Sequence, residues 1–140
     1  MIYLRQAYVS PVLAGRHRAK LAKRLGDYAR MEHLYADAIR WYDVAGGFLP
    51  SLRPEVSYRI ASCYEEGGDL EVAMHRYQLI ERPPWHVRGQ LALAKLLERE
   101  DRLKEARAIY ERLAAEPIPE AEVVRERLAI LRGQGKQHKE

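Results

Sequence analysis

The feature that most constrains this chain is a pattern that returns on itself. Ile60, Ala61 and Tyr64 come back thirty-three residues later as Leu93, Ala94 and Leu97. At the same offset Leu70, Ala73 and Tyr77 return as Leu103, Ala106 and Tyr110, and Ile80 returns as Leu113. Within each copy the apolar positions recur every three or four residues, the spacing of one helical face. Alanine at positions 61, 94, 73 and 106 lets two antiparallel helices approach closely, and Tyr64, Tyr77 and Tyr110 are long enough to fill the wider gap to the next pair. One such pair cannot cover its own apolar face, so pairs stack. The predicted fold is all-α, a right-handed α-solenoid of antiparallel helix pairs with about seven helices.

Upstream, a third copy fits at an offset of forty-two: Gly26 with Gly68, Tyr28 with Leu70, Met31 with Ala73, Tyr35 with Tyr77 and Ala38 with Ile80. Proline and glycine then punctuate the chain. Ser10-Pro11 predicts a helix start, and that helix runs to about Leu25 before a turn at Gly26-Asp27. The second helix spans Tyr28 to Ala45, closed by Gly46-Gly47, and FLPSLR is a loop. Pro54 opens the third helix, and Gly67-Gly68-Asp69 closes it and caps the fourth, which ends near Glu81. Pro83-Pro84 precedes a fifth helix, Trp85 to Arg99; after Asp101-Arg102 the sixth reaches Ala115. Pro117 and Pro119 precede the seventh, Glu120 to Arg132, and Gly133 opens a polar tail. The organisation expected is an arm at 1–10, repeat units at about 12–45, 54–84 and 87–117, a capping helix at 119–132, and a tail at 133–140.

Composition agrees with that reading and narrows the function classes. Helix-favouring residues dominate, and 140 residues with 47% hydrophobic side chains suffice for one cored domain. No stretch approaches the ~18 apolar residues of a spanning helix. The start has no compact apolar run of the secretory kind, and the single cysteine, Cys63, excludes a disulfide framework within the chain. The expected location is therefore cytoplasmic. Charge is unevenly placed. Residues 1–30 carry seven cations against one anion, Asp27, a sum of +6, while the other 110 residues sum to −2. Arg16, Lys20 and Lys23/Arg24 share one helical face, which reads either as a solvated cationic face or as a cradle for an acidic segment.

At these residues the chain resembles the tetratricopeptide repeat (TPR) family. GDYARMEHLYADAIRW (26–41) is similar to the second half of that repeat, and IASCYEEGGDLEVAMHRYQLIERPP (60–84) and LAKLLEREDRLKEARAIYERLAAEP (93–117) each cover most of a unit. The pattern departs at the first-helix tryptophan, where Gly15, Ser57 and Gln90 stand. The resemblance implies a groove lined by the first helix of each pair, holding a partner's peptide or helix. Carried over by position, the groove would present Leu13, Arg16, Lys20, Lys23 and Arg24, then Glu55, Tyr58, Ser62, Glu65 and Glu66, then Arg88, Leu91, Lys95, Glu98 and Arg99. The partner-binding candidates among these are Arg16, Lys20, Lys23, Arg24, Tyr58, Ser62, Arg88, Leu91 and Lys95. Arg16, Lys20 and Lys95 fall near places where chaperone-binding members clamp a C-terminal carboxylate, but the asparagines of that clamp are missing and Ser62 occupies one of their sites.

No catalytic, metal or cofactor site is expected. Cys63 sits on an apolar face beside Tyr64, as a small core residue would. The five histidines share no metal-ligand spacing, and HExxH, GxSxG, CxxC and phosphate-cradling glycine loops do not occur. Trp41 and Trp85 are expected to pack. The arm (Ile2, Tyr3, Leu4, Ala7, Tyr8, Val9) and the apolar Phe48 and Leu49 either extend the core or mark a binding patch. The leading expectation is a non-enzymatic protein-interaction module or adaptor, the partner a peptide or helix of acidic character. The alternatives are a nucleic-acid binder using the basic first unit, and a self-associating structural subunit or chaperone of a larger assembly.

Overall fold

A computed structural model describes residues 11–137, with side chains placed for 14–133. The arm at 1–10 and the side chain of Leu13 lie outside the described residues. Helices follow one another as α1 (Pro11–Met31), α2 (Tyr35–Phe48), a single 3-10 turn (Pro50–Leu52), α3 (Arg53–Glu66), α4 (Leu70–Gln78), α5 (Trp85–Arg99), α6 (Leu103–Ala114) and α7 (Ala121–Gln137). There is no strand among the described residues, and no helix there is long and apolar enough to cross a membrane. Sequential helices pack pairwise, and α3 also touches α5, as stacked hairpins require. The architecture is an α-solenoid.

Three near-identical turns join the two helices of each pair. The amides of Leu34, Asp69 and Arg102 donate to the carbonyls of Ala29, Tyr64 and Leu97, each at 2.8 Å. This six-residue closure satisfies carbonyls that a helix end otherwise leaves open. It needs a left-handed residue just before the donating amide, and His33 (φ 61°), Gly68 (φ 90°) and Asp101 (φ 58°) supply it. Asp69 stands at the N-cap of α4, but its side chain makes no capping bond, contrary to expectation.

These turns correct the first pair. The chain does not turn at Gly26-Asp27; α1 continues to Met31 and the turn falls at Glu32-His33-Leu34. The first unit is therefore thirty-five residues ahead of the second, not forty-two: Tyr42, Tyr77 and Tyr110 correspond, as do Ala38, Ala73 and Ala106, and Gly26, Ala61 and Ala94. An error of seven residues is two helical turns, which returns to the same face and so preserves the apolar pattern. Gly26 marks a close approach, since a Cβ there would lie 2.7 Å from the Tyr42 ring. Gly46-Gly47 does not end α2, which runs on to Phe48. At the other end α7 passes through Gly133 to Gln137, because a lone glycine costs about 1 kcal/mol and does not by itself stop a helix. Helix α4 stops at Gln78, short of Glu81, and Ile80 tucks under Gly89 of α5.

The core forms two clusters. The first joins Ala22, Ala29, Ala38, Tyr42 and Ala45 to Val56, Ile60 and Cys63. The second runs from Ala61, Ala73 and Tyr77 through Leu93, Ala94 and Leu97 to Ala106, Tyr110 and Leu113. All four alanines of the repeat pattern are fully enclosed. Val124, Leu128 and Leu131 of α7 complete the second cluster, so the last helix covers the apolar face of the third pair.

Candidate functional site

Each first helix owes its position to a buried tyrosine on its second helix. The Tyr42 hydroxyl donates to Asp27 at 2.5 Å, Tyr77 to Glu65 at 2.9 Å and Tyr110 to Glu98 at 2.6 Å. Burial raises all three phenols well above their usual range, and the carboxylate each one touches raises them further. They stay protonated donors, pinning the acids along one side of α1, α3 and α5.

That side is a groove with two clefts. The first, about 350 Å3, is lined by Arg30 of α1, Tyr58, Ser62, Glu65 and Glu66 of α3, Tyr77 of α4, and Arg88, Leu91, Ala92 and Lys95 of α5. The second, about 510 Å3, shares Leu91 and Lys95 and extends past Glu98 and Arg99 to Tyr110 and to Glu120, Val123, Val124 and Arg127. Tyr58 forms the apolar floor of the first cleft. Its ring lies 5.7 Å from Tyr77 and 5.6 Å from Trp85, and the Arg88 guanidinium stacks on Trp85 at 4.5 Å. Ser62 is buried and turns its hydroxyl to the Tyr58 carbonyl at 3.0 Å, with Tyr77 also at 3.0 Å.

Acids in the groove are largely occupied by the protein itself. Arg30 grips both oxygens of Glu66, Arg99 reaches Glu65 at 3.2 Å, and Arg127 chelates Glu98. Burial pushes the Glu98 carboxyl up, but hydrogen bonds from Arg127 and Tyr110, with the nearby charge of Lys95, outweigh it and hold the group below the usual range. Lys23 and Arg59 meet at Glu55, and Arg59 also reaches Asp27. By contrast, Arg88 and Lys95 form no ion pair among the described residues. The groove lining therefore combines apolar surface with a small excess of positive charge, Arg30, Arg88, Lys95, Arg99 and Arg127 against Glu65, Glu66, Glu98 and Glu120.

Of the predicted residues, the structure brings Tyr58, Ser62, Arg88, Leu91 and Lys95 into one cleft. Arg16, Lys20, Lys23 and Arg24 line neither cleft. Lys23 is spent on Glu55, while Arg16, Lys20 and Arg24 are exposed on α1. With the first pair seven residues out of step, sequence reasoning overlooked Arg30 and Asp27, which occupy the places of Glu65 and Ser62. Counting from the three alanines 38, 73 and 106 would have found them. Cys63 is fully enclosed, and burial raises its thiol to about 11, so it holds its proton. Trp85 packs as expected, whereas Trp41 is partly exposed.

The fold matches a solved structure, the Arabidopsis OM64 TPR domain, with a TM-score of 0.59 and 22% sequence identity over 82% of this chain and 97% of that one. No protein-family model matches the sequence, and no curated protein matches it. The likeness establishes a TPR-type fold for this chain.

Proposed function

We propose that this protein is a non-enzymatic interaction module that holds an acidic, partly apolar segment of a partner protein in the groove formed by α1, α3 and α5. The observation that carries the reading is the mismatch of charge. Glu65, Glu66 and Glu98 are paired internally with arginines, while Arg88 and Lys95 flank the Tyr58–Leu91 floor without a direct ion pair, Lys95 reaching Glu98 only through its field. An entering acid recovers Coulomb energy at these two cations, and an apolar side chain covers Tyr58 and Leu91. The enclosed, protonated Cys63 offers no nucleophile.

A fluorescein-labelled peptide alternating glutamate with leucine and phenylalanine tests this by anisotropy. The double variant Arg88→Glu/Lys95→Glu is expected to weaken binding by about tenfold or more, and rising salt to weaken the wild-type complex. Both side chains are exposed, so the helical circular-dichroism spectrum should not change. Equal affinity for wild type and double variant would remove the groove from the binding site.

A further inference from the structure

The first pair carries a second surface, on the opposite side of α1 from the core. Of the ten large apolar side chains exposed among the described residues, seven fall between Leu21 and Phe48. Leu21 is 46% exposed and Tyr28 64%. In the register fixed by the turns, the counterparts of Leu21 are Val56 (3% exposed) and Gly89, which is buried; those of Tyr28 are Cys63 (0%) and Leu96 (1%). These positions are enclosed wherever a preceding pair exists to cover them. Val56 and Cys63 share a cluster with Ala38, Tyr42 and Ala45 of α2, and Leu96 shares one with Ala73, Tyr77 and Ile80. In each case the cover carries an alanine, a tyrosine four positions on, and an apolar residue three further, Ala45 within α2 and Ile80 just past the end of α4.

The charges around Leu21 and Tyr28 select what fits. Arg18, Lys20 and Arg24 flank them on α1, all exposed, and Arg18 stacks on Phe48 of α2 at 5.7 Å. Asp27, the one acid of α1, is taken by Tyr42 and Arg59; Glu32, just past the helix, is the nearest exposed acid in sequence. A second copy docked through this same face would bring these cations against their equals. The ten residues preceding α1 carry Arg5 and no acid, so they offer nothing to Arg24 either. We infer that this face of α1 docks an acidic amphipathic helix from a partner protein, seated as α2 and α4 seat on the helices that follow them. Apolar contact at Leu21 and Tyr28 supplies the anchor, and Lys20 and Arg24 orient the helix through its acids. The surface is separate from the groove, and the two readings stand or fall independently.

The test is a labelled synthetic helix as long as α2, bearing the Ala-x3-Tyr-x2-Ala edge with glutamates on both flanks, titrated by anisotropy into the intact chain. The expected result is binding at least about tenfold tighter than that of the same edge flanked by lysines. It should be lost in Leu21→Asp and Tyr28→Asp and unchanged in Arg88→Glu/Lys95→Glu. Leu21 and Tyr28 are solvent-facing, so both variants should keep the wild-type thermal melt. Equal affinity for the two peptides, or indifference to Leu21→Asp, overturns the inference. Three other outcomes overturn it as well. One is a wild-type dimer in light scattering that Leu21→Asp dissolves, and another is hydrogen-exchange protection of residues 2–9 that the same variant abolishes. The third is a single-stranded RNA that outcompetes the acidic helix at Arg24 without needing Leu21.

Discussion

Gly26 shows how one side chain, or its lack, sets the spacing of two helices. Its counterparts Ala61 and Ala94 accommodate a methyl group, yet a Cβ at Gly26 would stand 2.7 Å from two atoms of the Tyr42 ring. That ring is completely enclosed and its hydroxyl is tied to Asp27, so it has little freedom to yield. Gly26→Ala gains helix propensity of up to about 1 kcal/mol. Overpacking of a tight core costs about 1–3 kcal/mol, and the second effect wins. Urea unfolding should show a net loss of up to about 2 kcal/mol. In a Tyr42→Phe background, where the ring is released from Asp27, the same substitution should cost less; an equal cost in both backgrounds would place the strain elsewhere.

At the scale of the element, the turns are the most regular part of the molecule, and they explain what could be read in advance. The second and third pairs were legible because Gly67-Gly68-Asp69 and Asp101-Arg102 announce turns in ordinary turn chemistry. The first turn, Glu32-His33-Leu34, carries no glycine or proline, and its left-handed residue is a histidine. Gly26 and the Gly46-Gly47 pair offered stronger signals and misled, because both serve close packing within helices: Gly26 against Tyr42, and Gly46 against Val56. The small-and-aromatic pattern survived this slip, since two helical turns restore the face, but each groove position on α1 was matched to the wrong partner on α3: Lys20 and Lys23 take the places of Glu55 and Tyr58, and Asp27 and Arg30 those of Ser62 and Glu65. Charge runs hid the rest, as sequence spacing does not reveal that Lys23 is paired with Glu55 while Lys95 forms no direct ion pair among the described residues. Gly68 stands in the left-handed region with open space around its Cα, so Gly68→Ala introduces backbone strain and no clash. His33 and Asp101 show that the sister turns tolerate a side chain near φ 60°. The expected loss is about 1 kcal/mol in thermal or urea unfolding, and no loss would mean that the turn relaxes fully into its sisters' conformation.

Across the whole molecule, cohesion passes from neighbour to neighbour. The two buried clusters meet through the partly buried Tyr64, which packs against both, and α7 touches the third pair alone among the packed helices. Among the described residues the outer pairs differ: α7 covers the apolar face of the third, whereas in the first Leu21 and Tyr28 are exposed at positions that later pairs enclose. Stability should therefore be graded along the array. Leu128 of α7 is buried in the second cluster with Tyr110 and Leu113, and truncating such a residue costs about 2–5 kcal/mol. In Leu128→Ala, amide hydrogen exchange should accelerate most in α6 and α7, less in α5, and least in α1 and α2, which share no cluster with the lost side chain. A uniform acceleration over all helices would show that the array opens as one unit, and the nearest-neighbour account of its cohesion would then fail.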